Sequence, residues 1–316
     1  MDRLRSRRGD RERDAYDVCC LCEVWRGEAA ERILGDVRAA GGDAWQAVAG
    51  PGADGALIVH GSGLCFLTRR FPVVRTERLV FGSRGERRHD SDAWSNKGAM
   101  LNVVDTGTGE LELFQTHLYY GGGFADAPGV LAGPLGIRDP TDDEREEIWR
   151  AQLGELARFY RAHHRPSNAA IVTGDFNLSG ADIRQYTFVR RAMDELNLRD
   201  LWAWDVFRHA PADGYTCRYT DSEEMERDFA AVCGRPGAAD GAGTYCDRDR
   251  VRPPRKGVGR FDFIFVENPT PAHRCHVEVA RRRRRPFRRI EPSDGEVFLS
   301  DHLGLDTTLY VSARRS

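Results

Sequence analysis

A carboxylate and a carboxamide follow a short apolar segment near the middle of the chain. Residues 170–174 have the composition of a buried strand, and Asp175 and Asn177 stand two positions apart at its end. Because side chains two residues apart on an extended chain point the same way, we expect this pair to share a face while Phe176 turns back into the core. The pair suits a hard cation or a phosphate oxygen, and an Asx-rich turn closing a strand explains it equally well.

Further polar residues also stand at the ends of apolar segments, which favours chemistry over an isolated turn. They are Glu23, His117, Asp262 and the neighbouring Asp301 and His302. Each alone has an ordinary explanation as a strand-end charge or a hydrogen-bonded histidine. A buried unpaired carboxylate is costly, so Asp262 needs a partner, and an Asp that orients His302 would make a general base. Asp301 and His302 diverge, so we expect Asp301 to face a metal ion and His302 to face water.

Apolar periodicity predicts the elements that carry these residues. We expect helices over 28–40, 142–163 and 182–196, the second starting at a capping box formed by Thr141 and Glu144. We expect strands at 16–22, 45–49, 56–60, 64–68, 73–81, 99–104, 111–117, 170–174, 261–266, 275–280 and 303–311. The loop at 119–140 follows His117 directly, and we expect it to face the substrate.

Composition sets broad limits on the function. A chain of 316 residues with 41% apolar content can form one large domain, so we expect a single domain over 1–316 with a charged, helical or disordered segment at 1–14. The net charge of −2 gives no general attraction to nucleic acid or membranes. The chain as written shows no membrane span or signal peptide, which predicts a cytoplasmic protein, with secretion as the alternative if the N-terminus is truncated.

The cysteines predict little chemistry. Four of them lie in apolar segments and read as small buried hydrophobes in a reducing compartment: Cys19, Cys20, Cys22 and Cys65. Three more, Cys217, Cys233 and Cys246, share one polar region, where their spacing matches no common zinc pattern.

A basic stretch near the C-terminus has two interpretations. Residues 281–285 are all arginine, and Arg288 and Arg289 follow. The stretch is either a solvated, self-repelling loop or a contact for an anionic surface or polyphosphate. Lys97 and Lys256 are the only lysines among 47 basic residues, so the chain prefers arginine throughout and the stretch by itself is weak evidence.

Five short motifs occur in the order and approximate spacing of one enzyme superfamily. They are Cys22-Glu23-Val24, Gln115-Thr116-His117-Leu118, Gly174-Asp175-Phe176-Asn177, Phe261-Asp262-Phe263-Ile264-Phe265 and Ser300-Asp301-His302. Between about residues 16 and 311 the chain thereby resembles the endonuclease/exonuclease/phosphatase superfamily, which includes pancreatic deoxyribonuclease, exonuclease III and neutral sphingomyelinases. The resemblance implies an α/β fold, a four-layer α/β/β/α sandwich of two mainly antiparallel sheets flanked by helices.

The resemblance also implies a Mg²⁺-dependent phosphodiester hydrolase, with Mn²⁺ as an alternative ion. Glu23 would be the main metal ligand, and Asp301 would lie close to the metal. These roles agree with the preference of Mg²⁺ for a few carboxylates plus water and substrate oxygens. The family usually begins with a strand that ends in Asn, whereas Met1 lies only 22 residues before Glu23. Either the recorded start is too late, or the chain lacks that first strand and its metal-shell Asn.

The remaining matched residues receive catalytic roles by the same resemblance. His302 would be the general base or acid, oriented by Asp262, and Asp175 would position or help activate the water. Asn177 and His117 would hold the phosphate and stabilise its developing charge.

The segment 92–98 resembles the sphingomyelinase-like branch, in which a Lys-Gly pair opens a strand. Lys97 and Tyr119 are therefore candidate substrate contacts, although an ordinary exposed lysine explains Lys97 equally well. The first hypothesis is a sphingomyelinase-like phosphodiesterase acting on a phospholipid or small phosphodiester. The second is a nuclease of the deoxyribonuclease or exonuclease type, and the third is a catalytically impaired binding protein. The expected partner is a phosphodiester substrate, lipid head group or nucleic acid, and we expect a monomer with no stable protein partner.

Overall fold

The computed structural model describes residues 16–25, 27–42, 44–52, 61–85, 92, 95–121, 140–178, 183–201, 261–285, 288–291, 295–298 and 304–314. The helices are α1 (Gly27–Gly41), α2 (Asp142–His163) and α3 (Ile183–Asp194). The first seven strands are β1 (Val18–Leu21), β2 (Gln46–Ala49), β3 (Cys65–Thr68), β4 (Val73–Val80), β5 (Gly98–Asp105), β6 (Glu110–His117) and β7 (Ala169–Asp175). The others are β8 (Leu198–Asp200), β9 (Asp262–Glu267), β10 (Cys275–Arg285), β11 (Arg288–Glu291), β12 (Gly295–Phe298) and β13 (Gly304–Ala313).

The elements predicted from periodicity inside these ranges are present, with small shifts at their ends. The predicted strand at 56–60, the segment 1–14, the three distal cysteines and the Asp301-His302 pair lie outside the described residues. The interpretation of 281–285 as a loop is wrong, because these arginines form the end of β10 and pair with β13. Cross-strand pairing there outweighs the repulsion between neighbouring like charges.

A six-stranded sheet forms the centre of the protein, in the order β4-β5-β6-β7-β9-β8. Only the β6–β7 pair is parallel, and the other neighbours are antiparallel. Helix α2 lies between these two strands in the chain and supplies the crossover that a parallel pair requires. Strands β5, β6 and β7 are buried along most of their length, which explains the largely apolar sequences of β5 and β7.

Three apolar clusters separate four layers. Phe114 and Val172, on one face of the central sheet, share a cluster with residues of α2 and α3. Ile171 and Ile264, on the opposite face, share a cluster with residues of β3 and β10. A third cluster joins the sheet β1-β3-β2 to α1 through Trp45. These clusters confirm the predicted α/β/β/α sandwich.

The second sheet layer is divided in the described part of the chain. It contains the three-stranded sheet β1-β3-β2 and a separate antiparallel ribbon of β10 and β13. Both pack on the central sheet through the same inter-sheet cluster.

Helix α2 begins where its capping box predicts. The Thr141 hydroxyl accepts from the Glu144 backbone N–H, and the Glu144 carboxylate accepts from the Thr141 N–H. The inward stripe of α2 includes Trp149, Leu153 and Tyr160, which cover the central sheet. None of the helices in the described ranges combines the length and apolar character needed to span a membrane.

Candidate active site

In-register strands bring three of the predicted residues to one end of the central sheet. His117 on β6 pairs with Asp175 on β7, and Asp175 pairs with Asp262 on β9. Neighbouring strands lie about 4.8 Å apart, so these residues form a single row across three strands. We call His117, Asp175 and Asp262 the strand-end row. The sequence separation of 145 residues between its first and last members is closed entirely by strand pairing.

The strand-end row lies on the side of the central sheet that faces the second sheet layer. Leu113, Ile171 and Ile264 occupy the same strands at even spacings from the row, and all three belong to the inter-sheet cluster. Phe176 instead packs against Phe263, with ring centroids 5.2 Å apart, in the helix-side core. This placement confirms that Phe176 turns away from Asp175. The row therefore stands at one end of the gap between the two sheet layers.

The hydrogen-bond partners of His117 define its tautomer. Its ring is buried, with Nδ1 3.1 Å from the carbonyl oxygen of Ser62. Since a carbonyl only accepts, Nδ1 carries the hydrogen. Nε2 lies 2.6 Å from Lys97 Nζ and 3.6 Å from Asp175 Oδ2. An ammonium only donates, so Nε2 accepts from Lys97 and the imidazole in this arrangement is neutral.

Lys97 is a buried residue of this site, and the interpretation as an ordinary exposed lysine is wrong. Its relative exposure is 5%, and its Nζ lies 3.7 Å from Asp92 Oδ1. The ammonium also lies 5.4 Å from the ring centroid of Trp25, within the range of a cation–π contact. Trp25 contacts His117 as well, at 5.2 Å between ring centroids. Sequence reasoning missed Trp25 and Asp92, although both stand within a few residues of matched motifs.

Glu23 has an uncommon backbone conformation at the end of β1. Its φ is +64°, in the left-handed region that few residues other than glycine adopt, and its side chain is exposed. The next residue, Val24, donates its N–H to the carbonyl oxygen of Gly63 at 2.8 Å. Gly63 has φ +76°, and a Cβ there would lie 3.1 Å from His117 Nδ1 and 3.2 Å from the Glu23 backbone nitrogen. Only glycine therefore lets the Glu23 segment approach His117 so closely.

Asn177 forms the Asx turn that its sequence context allows. Its backbone φ is +50°, and its N–H donates to Asp175 Oδ1 at 2.8 Å. Its side-chain Nδ2 donates to the carbonyl oxygen of Leu118 at 2.8 Å, which uses one of two amide hydrogens. Gly174 precedes this turn with φ +140°, where a Cβ would meet the Thr116 carbonyl oxygen. This turn is compatible with the predicted phosphate-binding role of Asn177, because it holds Asp175 beside His117.

The pKa of the Cys22 thiol is affected by the negative charges in this region. Burial raises the pKa of its thiol well above the usual range, and the nearby carboxylates of Asp175 and Asp262 raise it further. Cys22 therefore stays protonated and is a poor metal ligand or nucleophile.

The donor atoms at this end of the sheet suit a hard cation. Glu23, Asp175 and Asp262 supply carboxylate oxygens, which Mg²⁺ prefers over nitrogen or sulfur. Across the described ranges, no group of three or more His, Cys, Asp or Glu residues is arranged to hold a metal ion. Mg²⁺ commonly binds through one or two carboxylates with several waters, so these carboxylates need not form such a group to suit this ion.

The structure does not bring Tyr119 to the strand-end row. Its side chain is 1% exposed within the helix-side core, its N–H donates to Gln152 Oε1 at 2.8 Å, and its carbonyl accepts from Trp149 Nε1 at 2.7 Å. The residue fixes the start of the loop after β6 against α2. The row, Lys97, Glu23 and Asn177 thus surround one end of the inter-sheet gap without it.

The chain belongs to the endonuclease/exonuclease/phosphatase family, whose family model matches residues 4–302. No curated protein matches the chain in sequence. Among solved structures, a beta toxin mutant from Staphylococcus aureus with bound magnesium ions is similar at 14% identity, covering 95% of this chain and 88% of that chain, with a TM-score of 0.54. Sphingomyelinase C from Streptomyces griseocarneus is similar at 17% identity, 95% and 87% coverage and a TM-score of 0.53. The TDP2 of D. rerio complexed with single strand DNA product is similar at 16% identity, 93% and 86% coverage and a TM-score of 0.52.

Proposed function

We propose that the protein is a metal-dependent phosphodiester hydrolase whose reaction takes place at the strand-end row. The observation that carries this proposal is the register of β6, β7 and β9, which aligns His117, Asp175 and Asp262 beside the exposed Glu23. Family membership supports the reaction class. Family membership does not specify the substrate.

Four residues would handle the proton and the water in this proposal. Asp175, whose Oδ1 accepts from the Asn177 N–H and whose Oδ2 lies 3.6 Å from His117 Nε2, would position the attacking water. His302 would take the proton from that water as the general base and return it to the leaving oxygen as the acid. Asp262, the first residue of β9, would hold the His302 ring and stabilise its charged form.

Lys97 and His117 would bind the phosphate as a unit. The Lys97 ammonium has three hydrogens, of which one meets His117 Nε2 and a second faces Asp92. The third would donate to a phosphate oxygen and stabilise its developing charge. This assigns the positive charge to Lys97 and makes neutral His117 its positioning partner, a refinement of the sequence-based role of His117.

The metal would be held by Glu23 and Asp301, with Mg²⁺ favoured and Mn²⁺ as the alternative. When bound, it would supply Lewis-acid stabilisation of the phosphate charge. The similar beta toxin structure with bound magnesium ions supports this choice of ion.

Two substrate classes have support. A lipid head group is favoured by the sphingomyelinase neighbour and by buried Lys97 at the start of β5. A nucleic acid is favoured by the arginines at the end of β10, because that strand pairs with β13, which begins two residues after His302.

The test is a turnover assay on sphingomyelin, plasmid DNA, single-stranded DNA and a chromogenic phosphodiester, each with Mg²⁺ and with EDTA. We expect turnover of at least one substrate with Mg²⁺ and its loss in EDTA. Turnover that persists in EDTA would refute the metal requirement. Absence of turnover on all four would favour a binding protein of the same fold.

A further inference from the structure

The indole ring of Trp25 contacts both members of the Lys97–His117 pair. Its ring centroid lies 5.2 Å from that of the His117 imidazole, with the two planes at 38°, and 5.4 Å from Lys97 Nζ. Lys97 and His117 are buried, at 5% and 1% exposure, whereas Trp25 is half-buried. Trp25 is therefore the most exposed of three side chains that contact one another.

A short backbone segment holds both rings in place. The Gly61 N–H donates to the carbonyl oxygen of Trp25 at 3.1 Å. The next carbonyl oxygen along the segment, that of Ser62, lies 3.1 Å from His117 Nδ1. A Cβ on Gly63 would lie 3.2 Å from Trp25 Cε3 and 3.1 Å from His117 Nδ1, so both rings pack against this glycine. The contact between the two rings is therefore supported by the backbone on which they rest.

The packing of Trp25 differs from that of a core residue. In the part of the chain that the structure describes, Trp25 belongs to none of the three apolar clusters, although Val24 before it packs on the third. The contacts of its ring include an ammonium, an imidazole and a glycine. A role in holding the two polar side chains accounts for an indole at this position better than core packing does.

Trp25 also restricts the positions that the Lys97 ammonium can take. A lysine side chain is flexible, so fixing it costs conformational entropy. Here the ammonium lies 2.6 Å from His117 Nε2, 3.7 Å from Asp92 Oδ1 and over the ring of Trp25. The face of an indole attracts a cation more strongly than the other side-chain rings do. These contacts order the ammonium before a phosphate arrives, so binding does not have to do so.

We propose that Trp25 is a positioning residue, which holds the Lys97 ammonium and the His117 ring in the arrangement that receives a phosphate group. It acts through Lys97 and His117. The inference rests on the proposed function, in which the remaining ammonium hydrogen of Lys97 donates to a phosphate oxygen. The contact between Trp25 and Lys97 does not depend on catalysis, so it can be measured with or without turnover.

The first test is a series of substitutions that separates an aromatic face from apolar volume. W25F keeps a weaker aromatic face, and W25L keeps apolar volume without one. With Mg²⁺ and the best substrate, W25L should lower kcat by about tenfold, with the larger part of the change in kcat/KM coming from kcat, because charge on the phosphate grows in the transition state. W25F should keep kcat within about threefold of the unchanged protein.

The second test needs no turnover. Lys97 and Lys256 are the only lysines, so protein labelled with ¹³C at lysine Cε gives one NMR signal for each, and K256R identifies that of Lys97. An indole beside the ammonium displaces this signal through its ring current. W25L should move the Lys97 signal toward that of a lysine in an unfolded chain, and W25F should move it part of the way.

The matched control is F188L, which removes another half-buried ring that lies next to a cation. The guanidinium carbon of Arg150 lies 4.6 Å from the centroid of this ring, in the contact between α2 and α3. F188L should leave kcat within about twofold of the unchanged protein and the Lys97 signal in place. Thermal unfolding should show every variant folded.

Three results would overturn the inference. They are an unchanged kcat in W25L, equal losses of kcat in W25F and W25L, and a Lys97 signal that stays in place in W25L. Equal losses would assign Trp25 a packing role that depends on the shape of the indole. A Lys97 signal that moves in W25L, in a protein that turns over none of the substrates, would support the contact while the proposed hydrolase fails.

Discussion

The two ends of the central sheet both bury charged side chains, but they differ in backbone conformation and in exposure. At the end opposite the strand-end row, the fully buried carboxylate of Glu112 accepts from His164 Nδ1 at 2.8 Å and from Asn168 Nδ2 at 3.1 Å. Arg75 adds an ion pair at 3.4 Å. We call Glu112, His164 and Glu267 the far-end cluster. These short contacts between opposite charges are those expected of a structural ion network.

The protonation of His164 follows from this arrangement. Burial by itself lowers the pKa of His164, but hydrogen bonds and charge attraction from Glu112 and Glu267 outweigh it and raise the pKa to about 9. The residue is the C-cap of α2, where a positive charge also interacts favourably with the helix dipole. Its ring in fact joins β6 to β9 through the two glutamates.

The strand-end row differs in backbone and in access. Glu23 is exposed and holds a left-handed conformation, and glycine at 63 is required by its close approach to His117. Such conformations cost about 1–3 kcal/mol and persist mainly at functional sites. The comparison teaches that burial of charge alone does not identify an active site. An exposed carboxylate on a strained backbone, next to buried charged side chains, does so better.

The largest expected effect separates catalysis from stability at the strand-end row. H302A should lower turnover of the best substrate by about 10³-fold or more, because the base and its charge are lost together. Thermal unfolding should change little. A variant that keeps nearly full turnover would show that another residue is the base.

A substitution in the far-end cluster should lower stability and leave turnover nearly unchanged. E112Q removes the buried counter-charge of Arg75 and one of the two carboxylates that face His164, and should lower the free energy of unfolding by about 3 kcal/mol, measured by urea denaturation. Turnover at saturating substrate should stay close to that of the unchanged protein. E110Q, at a more exposed neighbouring position, is the control and should cost less than about 1 kcal/mol. A large loss of turnover in folded E112Q would contradict a purely structural role.

The dependence of activity on Mg²⁺ concentration tests the proposed role of Glu23 as a metal ligand, and the expected effect is smaller. E23Q removes one charge from the proposed metal site and should raise the Mg²⁺ concentration for half-maximal activity by about tenfold. The free energy of unfolding without metal should be unchanged, since the side chain is exposed. If the Mg²⁺ titration curve of E23Q matches that of the unchanged protein, the ligand lies elsewhere.

The smallest expected effect is the pH dependence of stability from His164. Its folded pKa of about 9 exceeds the ordinary value of 6.5, so its stabilisation is fully present below pH 6.5 and is lost as the pH rises through 9. Urea denaturation between pH 6 and 10 should show this decline, and H164Q should flatten it. An equally steep decline in H164Q would assign the titration to another group.

The sequence determined the elements and the reaction class to be tested. Short apolar segments predicted strands such as β5 and β7, and the Thr141 capping box predicted the start of α2. The order of five motifs predicted the family that the family model confirms. These signals are local, because alternation, caps and turns depend on neighbouring residues.

Only the tertiary structure decided how these pieces meet. The pairing of β6 with β7 and β9 placed Asp175 between His117 and Asp262, and packing buried Lys97 beneath Trp25. Pairing with β13, with one bulge before Arg281, made a strand of an arginine stretch whose sequence also allowed a solvated loop. Register, burial and bulges depend on strands far apart in the chain, so no local pattern in the sequence specifies them.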